Sequence, residues 1–396
     1  MPVELTVDPQ PGVAARATVR VSELDGIRGT AILLVVIWHY VASQVQTVPA
    51  SLPSYGLALL SMAWAGVDLF FVLSGFLIGT TLHRNRTASN YFSTFYIRRA
   101  CRIFPLYFLS LLLFLAALQF GAVQREQGPG GWWSWLFGNP MPAWSYTVYL
   151  QNVAMAGAGS FGANWLGITW SLAIEEQFYL IIPLAVRFVP APTLRRIFYG
   201  LIIAAPIFRI ALYSISPHPQ LAGYVLLPAR WDALLLGVLG AYALQQPNIH
   251  QRLQARIPLI RGIIAAAALV LLVLLGLRQG IGSFAMGAGG YTVLAVLSLG
   301  IVLLALVSEG GRTQQLFRQP VLVWLGTISY GIYLLHQPVS GALHGYLRHQ
   351  SPRIATASDA VVTVLALMST LLLAAASARF FEGPFIAAGQ RLRYRT

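Results

Sequence analysis

Ten apolar stretches, most of them close to twenty residues long, constrain the fold of this chain more than any other feature of its sequence. An α-helix rises about 1.5 Å per residue, so roughly 20 apolar residues span the hydrocarbon core of a bilayer. The composition agrees, because 57% of the residues are hydrophobic and 10% are charged, whereas about 25% are charged in soluble domains. The sequence therefore predicts an all-α polytopic membrane protein. The predicted spans are residues 27–46, 57–82, 103–121, 166–188, 197–215, 223–244, 258–277, 290–308, 321–343 and 359–380.

The distribution of arginine predicts how the chain is threaded through the membrane. All 26 basic residues are arginines, and the formal net charge is +14. If the N-terminus is cytosolic, nineteen arginines fall in cytosolic segments, and four fall outside: Arg125, Arg278, Arg348 and Arg353. The positive-inside rule then predicts that both termini are cytosolic. Because the arginines lie between the apolar stretches and form no single basic domain, nucleic-acid binding is not indicated.

We expect three parts in the chain: a cytosolic N-terminal segment at 1–23, a membrane domain at 24–386 and a cytosolic C-terminal tail at 387–396. No apolar stretch precedes Ile27, so a cleavable signal peptide is not expected. The one cysteine, Cys101, excludes an intrachain disulfide and a multi-cysteine metal site. We therefore expect neither a disulfide nor a bound metal.

One sizeable external loop is predicted between Ala122 and Leu166, and it is rich in tryptophan. Anchoring in the membrane interface is the simpler interpretation, and a platform that stacks on sugar rings is the alternative. The sequence leaves open whether 143–156 enters the membrane as a partial segment. The loop tryptophans are Trp132, Trp133, Trp135, Trp144 and Trp165.

Three ionisable residues lie in or just before the first predicted span: Asp25 precedes it, and Arg28 and His39 lie within it. Ionisable groups inside apolar helices are costly unless they are paired or line a wet cavity, so each is a candidate functional residue. Eleven residues at about 100° each make slightly more than three turns, so Arg28 and His39 are predicted to share a helix face. Two interpretations of His39 are open: a neutral base, or a structural histidine bonded to a neighbouring helix.

The second and third predicted spans add more polar groups. Asp68 is predicted to pair with a buried arginine or histidine, whereas Ser74 and Gly75 are predicted to permit close helix packing. A cluster of arginines has two possible roles here. Guanidinium groups can bind phosphates bidentately, or they can anchor the topology by contacting anionic lipid. Three arginines form such a cluster at the cytosolic start of the third span: Arg98, Arg99 and Arg102.

The fourth predicted span contains Ser171 and two adjacent glutamates, Glu175 and Glu176. Adjacent side chains on a helix point about 100° apart, so at least one glutamate is predicted to face the bundle interior, beside a cation or protonated. Structural ion pairing is a sufficient explanation for each polar residue taken alone. It explains less well why so many polar residues occur inside the helices of a chain with so few charges. Three more occur in or beside later spans: Arg230, His336 and Glu382.

Six motifs in order over 24–386 resemble those of the bacterial acyltransferase 3 membrane proteins, which O-acylate surface polysaccharides and related glycosides. Each motif alone is weak, but six in this order are specific. They are LDGIR (24–28) followed by His39, GVDLFFVLSGF (66–76), the Arg99 and Arg102 pair, WSLAIEEQFY (170–179), SYGIYLLH (329–336), and Glu382 with Pro384.

The resemblance implies a ten-helix bundle in the bacterial cytoplasmic membrane that takes an acyl group, often acetyl, from cytosolic acyl-CoA. The acceptor would be a hydroxyl of a glycan, glycolipid or glycoside. Acyl-CoA would be a substrate, and no permanently bound cofactor is expected. The candidate catalytic residues are His39, Arg28, Glu175 and Glu176. The candidate substrate- or donor-binding residues are Arg98, Arg99, Arg102, Asp25, Asp68, Ser171, Arg230, His336 and Glu382.

Two departures from the family pattern affect this expectation. Gly383 stands where a basic residue is expected between Glu382 and Pro384, which weakens that motif. Ten residues follow Ile386, so we expect the extracytoplasmic hydrolase-like domain fused to some relatives to be absent. Acyl transfer would then be carried out by the helix bundle itself.

A transporter or flippase of an amphipathic or lipid-linked substrate is the alternative function. Ten helices with buried charges are compatible with it, but we find no inverted repeat and no paired broken helices in the two halves of the sequence. A purely structural scaffold would leave His39, Glu175 and Glu176 without a role. For the acyltransferase, His39 would either deprotonate the acceptor hydroxyl or carry the acyl group transiently.

Overall fold

The computed structural model describes residues 4–6, 18–45, 52–120 and 131–395. Strands β1 (Glu4–Thr6) and β2 (Thr18–Arg20) form a short antiparallel ribbon that precedes the helices. Almost everything else in the described ranges is helical. The predicted all-α class is therefore confirmed.

Twenty α-helices occur in the described part of the chain. The first ten are α1 Ser22–Ile37, α2 Leu52–Leu60, α3 Gly66–Arg84, α4 Tyr91–Phe120, α5 Trp132–Phe137, α6 Ala143–Thr147, α7 Gln151–Ala158, α8 Asn164–Gly167, α9 Trp170–Phe188 and α10 Ala191–Ile215. The others are α11 Pro219–Val225, α12 Leu227–Leu244, α13 Ile249–Ala255, α14 Ile257–Gly276, α15 Tyr291–Val307, α16 Arg312–Phe317, α17 Pro320–Thr327, α18 Ser329–Arg348, α19 Ala357–Ala376 and α20 Gly383–Gln390.

Eight helical runs in the described ranges are long and apolar enough to cross a membrane, which establishes a multi-pass membrane protein. The predicted spans at 166–188 and 321–343 are also helical, in α9 and in α17 with α18. The glutamates of α9 and the histidines of α18 lower the hydropathy of these two segments, so the number of ten spans stays a prediction. The eight runs are Ser22–Ala42, Gly56–Arg84, Tyr91–Gln119, Ala191–Ile215, Pro219–Leu244, Ile257–Gly276, Met286–Val307 and Ala357–Gln390.

The predicted start of the third span differs clearly from the structure, and the structure describes the segment at 143–156 that the sequence left open. Helix α4 begins at Tyr91, well before the predicted span at 103–121, because no glycine or proline interrupts the chain before Pro105. The segment at 143–156 forms α6 and most of α7, which pack against the bundle. There Gln151 and Asn152 are fully buried and bond to backbone carbonyl groups of neighbouring segments. One side of the segment is therefore packed into the bundle, whereas the other side, with Trp144 and Val148, is exposed.

Glycine permits the tightest helix contacts. Helices α3 and α12 touch backbone to backbone, and a Cβ atom at Gly75 would lie 1.9 Å from the carbonyl oxygen of Leu234. The close packing predicted at Gly75 is confirmed. Ser74 contacts a different helix: its Oγ lies 2.6 Å from the hydroxyl of Tyr179 on α9, and its side chain lines a pocket. Ser74 is one residue round the helix from Gly75 and therefore faces a different neighbour.

The helix ends meet at two opposite faces of the bundle. At one face Arg86 donates a hydrogen bond to the carbonyl of Val189 at 2.8 Å, and we call this the arginine face. At the other, the amide of Ile354 donates to the carbonyl of Gln44 at 2.9 Å, and we call this the opposite face. The distribution of arginines predicts that the arginine face is cytosolic.

Candidate active site

His39 lies where the first membrane helix changes from α to π geometry. Helix α1 ends at Ile37, and Trp38–Ala42 form a π-helical turn. The Nδ1 atom of His39 is 2.9 Å from the carbonyl oxygen of Val35. Because a carbonyl oxygen only accepts, Nδ1 carries the proton and Nε2 keeps its lone pair. The half-buried ring is therefore in the tautomer that a general base requires.

His39 lines a cavity of about 1090 Å³, counted to its open mouth, which we call the histidine pocket. Its walls are mainly aromatic, and the described lining includes no arginine and no carboxylate. Tryptophans come from four separate segments: Trp38, Trp64, Trp135 and Trp170. The remaining polar side chains are neutral: Ser43, Gln44, Asn164, Tyr224, Tyr333 and Gln337.

The five tryptophans of the external loop have different environments. Trp135 lines the histidine pocket, and Asn164 donates to its carbonyl oxygen at 2.9 Å. Trp132 is buried against α18, whereas Trp144 is 62% exposed. Interfacial anchoring therefore fits Trp144, while Trp135 has the position that a sugar-stacking side chain needs.

His336 of α18 is the nearest ionisable neighbour of His39 that the structure describes. The two ring centroids are 4.8 Å apart. The Nδ1 atom of His336 is 2.7 Å from the carbonyl oxygen of Tyr333, so Nε2 is again the unprotonated nitrogen. That Nε2 is buried and has no hydrogen-bond partner among the described residues. A buried acceptor without a partner costs about 1–3 kcal/mol, and such groups often mark functional positions.

A second cavity, of about 790 Å³ to its mouth, lies beside the first, and we call it the arginine pocket. Helices α1, α3, α4, α9 and α18 contribute its walls. Apolar side chains such as Phe70 and Leu73 line part of it. Its polar side chains are Arg28, Ser74, Arg99, Arg102, Ser171, Glu175, Tyr179, Ser329, Tyr330 and Tyr333.

The two adjacent glutamates of α9 have different surroundings. Glu175 lines the arginine pocket and accepts a hydrogen bond of 2.7 Å from Tyr179. Glu176 lines neither pocket, and its buried Oε1 has no hydrogen-bond partner within the described ranges. The prediction that at least one glutamate faces the bundle interior is confirmed for Glu175.

The predicted arginine cluster divides between two environments. Arg99 and Arg102 line the arginine pocket, and the Arg99 guanidinium lies 5.1 Å from the ring centre of Tyr179. Arg98 is absent from the lining, and it donates two hydrogen bonds, of 2.9 and 2.6 Å, to the carbonyl of Leu392 in the C-terminal tail. Its role at a donor therefore stays a prediction without a contact to support it.

Arg28 brings a third guanidinium to the arginine pocket from α1. It lies 3.5 Å from Asp25, which is completely buried and lines neither pocket. Arg28 and His39 thus line different cavities at different heights along this helix. Val35, which lies two turns after Arg28 in the regular part of α1, also lines the histidine pocket, so the shared helix face stays a prediction.

The remaining candidate residues lie away from both cavities. Asp68 forms a buried ion pair with Arg230, as predicted for it, and the Arg230 guanidinium lies 4.1 Å from the ring centre of Tyr291. Glu382 accepts a hydrogen bond of 2.8 Å from Ser377. Asp68, Arg230 and Glu382 thus each contact a side chain inside the bundle, although one oxygen of Asp68 and two nitrogens of Arg230 are buried without a hydrogen-bond partner in the described ranges.

A second buried ion pair was not predicted as such. Arg209 lies 3.0 Å from Asp232, which also accepts from Thr292 at 2.6 Å. The presence of both charged residues in apolar helices was the available signal. The sequence does not show that α10 and α12 bring them together.

Comparisons with known proteins identify the family. The acyltransferase 3 model, described as an acyltransferase domain, matches residues 21–379. The chain is 26% identical over 388 residues to the peptidoglycan O-acetyltransferase OatA of Listeria monocytogenes, covering 92% of this chain and 55% of that protein. It is 27% identical over 385 residues to the O-acetyltransferase OatA of Staphylococcus aureus, covering 91% of this chain and 56% of that protein.

The chain spans about half the length of these relatives. No solved structure matches it. The match to the family model nevertheless covers most of the chain, including the residues that line both pockets. The protein therefore belongs to the acyltransferase 3 family.

Proposed function

We propose that this protein is an O-acyltransferase of the bacterial cytoplasmic membrane that moves an acyl group from acyl-CoA to a hydroxyl group of a glycan. Acetyl is the favoured acyl group, because the two relatives carry the name O-acetyltransferase. The observation that carries the proposal is the pairing of two cavities: one with three guanidiniums and one with an imidazole base.

The arginine pocket suits the donor. Coenzyme A carries several phosphate charges, and guanidinium groups bind phosphate oxygens with two parallel hydrogen bonds. Arg99 and Arg102 are half-buried, so their contacts would be less screened by solvent than contacts at an exposed surface. The apolar wall at Phe70 and Leu73 suits the pantetheine arm and the acyl chain. The donor would enter from the arginine face.

The histidine pocket suits an uncharged sugar. Aromatic rings such as those of Trp38 and Trp135 offer flat apolar surfaces to the C–H face of a pyranose, and the side-chain amides of Asn164 and Gln337 supply hydrogen bonds for its hydroxyl groups. The lining contains no carboxylate and no arginine among the described residues. A neutral glycan fits this pocket better than a phosphate-rich nucleotide does.

In the proposed reaction the lone pair on Nε2 of His39 accepts the proton of the acceptor hydroxyl. The oxygen attacks the thioester carbonyl carbon, the carbon–sulfur bond breaks, and coenzyme A leaves as a thiol once it has taken up the proton. Arg28 would offset negative charge at the thioester end of the donor. The same Nε2 would also permit a transient acyl-histidine.

The test is the release of free coenzyme A from acetyl-CoA by the protein in nanodiscs, with peptidoglycan fragments and other glycans as acceptors and the product identified by mass. His39→Ala should lower acceptor-dependent release by about 10²-fold or more. Trp144→Ala is the control, since Trp144 is exposed and lines neither pocket. Normal product formation by His39→Ala would refute this mechanism. Absence of turnover with all acceptors would favour the transporter.

A further inference from the structure

Tyr333 of α18 lies at the boundary between the two cavities. It and Val67 are the two residues that line both of them in the described part of the chain. The Tyr333 side chain is almost completely buried, so its ring fills space where the cavities approach each other. A donor in the arginine pocket that moves through the bundle to His39 would therefore pass Tyr333 and Val67.

Two hydrogen bonds hold the Tyr333 hydroxyl against the start of α9. It donates to the carbonyl oxygen of Ile168 at 2.7 Å, because a carbonyl can only accept. Its single proton is then used, so the hydroxyl of Ser171, 2.6 Å away, must be the donor in the second bond. Ile168 lines the histidine pocket and Ser171 lines the arginine pocket. The hydroxyl is thus fixed between the two cavities.

The path beyond Tyr333 ends at the imidazole groups. His336 follows one turn later on α18, with its ring centroid 6.0 Å from that of Tyr333. His336 in turn contacts His39, at 4.8 Å between centroids. A thioester that passed the tyrosine ring would therefore arrive next to the base.

We propose that Tyr333 is the gate between the donor cavity and the acceptor cavity. The gate is closed while its hydroxyl is bonded to Ile168 and Ser171, and it opens when the ring turns away from α9. The purpose of the gate rests on the proposed function: the gate keeps the thioester away from water at His39 until an acceptor is bound. Hydrolysis would otherwise consume the donor: water adds to the thioester carbonyl, the carbon–sulfur bond breaks, and acetate and the thiol of coenzyme A are released.

The decisive experiment measures the barrier without requiring catalysis. Leu77 lines the arginine pocket only, and Leu77→Cys in a Cys101→Ala background gives one thiol there. A membrane-impermeant thiol reagent is applied from the opposite face in oriented vesicles. Loss of two hydrogen bonds and the ring in Tyr333→Ala should raise the labelling rate at least about tenfold. Labelling from the arginine face should stay unchanged, which checks that the pocket is folded.

Tyr330→Ala is the matched control. Tyr330 lies on the same helix, donates to the carbonyl of Ile103 at 2.6 Å and lines only the arginine pocket. It should leave labelling from the opposite face at the wild-type rate. Tyr333→Phe, which keeps the ring and loses the hydrogen bonds, and Ser171→Ala, which loses one, should give intermediate rates. Equal rates in Tyr333→Ala and Tyr330→Ala would overturn the gate.

Acetate release without an acceptor is the second measurement. Tyr333→Phe should raise the share of acetyl-CoA converted to acetate by about tenfold relative to wild type, and an unchanged share would contradict the purpose assigned to the gate. The two proposals fail separately. Unhindered labelling of the wild type with normal acyl transfer would remove the gate and leave the enzyme, whereas a labelling barrier without acyl transfer would remove the enzyme and leave the separation of the cavities.

Discussion

The arginine pocket and the histidine pocket lie on either side of Tyr333 and differ in almost every chemical respect. The first contains three guanidiniums and one carboxylate, all on long helices of the bundle. The second contains one imidazole, several amides and many aromatic rings. Part of its wall comes from the external loop, through Trp135, Phe161 and Asn164. The charged pocket is thus built on rigid elements, and the neutral one partly on short helices.

The difference teaches which substrate property each pocket can recognise. Charge recognition in a half-buried site requires guanidiniums at fixed positions, because an unpaired buried charge is costly. Recognition of a neutral sugar depends on surface shape and on neutral hydrogen-bonding groups. Loop-borne side chains tolerate variation better than helix-borne ones. The three predictions that follow test this comparison, from the largest expected effect to the smallest.

The double substitution Arg99→Gln with Arg102→Gln should have the largest effect. Hydrogen bonds to charged groups contribute about 1.5–3 kcal/mol each, so the KM for acetyl-CoA should rise about 100-fold or more while the KM for the acceptor changes little. Initial rates over a range of acetyl-CoA concentrations give the value. Arg98→Gln is the control, because its guanidinium is bonded to Leu392. An equal defect in the control would show that the two pocket arginines have no special role.

Trp135→Ala should have an effect of intermediate size, and on the other substrate, the glycan. Loss of a large aromatic contact at a binding site costs more than about 1 kcal/mol, so the KM for the glycan should rise about tenfold and the KM for acetyl-CoA should stay constant. Steady-state kinetics with each substrate varied separately test this. Trp144→Ala, at an exposed tryptophan of the same loop, should leave both constants unchanged. A higher KM for acetyl-CoA would contradict the division of labour between the pockets.

His336→Phe should have the smallest effect, and only on kcat. Phenylalanine keeps the ring contact with His39 and removes two nitrogens: Nε2, which is buried without a partner among the described residues, and Nδ1, which donates to the Tyr333 carbonyl. The loss of one hydrogen bond and the loss of one unpartnered buried acceptor have opposite effects on stability. Thermal unfolding should therefore change little, while kcat falls several-fold if Nε2 of His336 takes part in proton transfer at His39.

The control for this variant is on the same helix. His344 is buried, lines neither pocket and has its Nε2 3.1 Å from the Thr363 hydroxyl. His344→Phe loses that hydrogen bond and a buried Nδ1 that has no partner among the described residues, so it should change thermal stability as little as His336→Phe does and leave kcat unchanged. A lower Tm for His336→Phe with an unchanged kcat would show that His336 is a structural residue.

Several features were predictable because they depend on the properties of one residue within its own helix. A charged residue in an apolar helix needs a partner, and Asp68 has Arg230. Two adjacent glutamates cannot both face lipid, and Glu175 faces the arginine pocket. Glycine in an apolar helix permits backbone contact, and Gly75 touches α12. In each case the residue and its helix already contain the reason.

Other features could not be predicted, because they depend on which helices become neighbours. The three clustered arginines at the start of α4 have similar neighbours in sequence, yet Arg98 alone donates to the carbonyl of Leu392 in the C-terminal tail. Ser74 resembles a packing residue, but it faces Tyr179. The π-helical turn Trp38–Ala42 could not be predicted either, since it has no residue signature of its own.

The sequence by itself determined that this is a multi-pass helical membrane protein and which polar residues are exceptional, because the cost of a polar group in lipid is paid wherever that residue lies along the chain. Only the tertiary structure decided how those residues are divided between two cavities and that Tyr333 stands between them. The Tyr333 hydroxyl meets Ser171 across 162 positions of sequence. Such a contact is fixed by helix packing, which sets distances between side chains that no local pattern records.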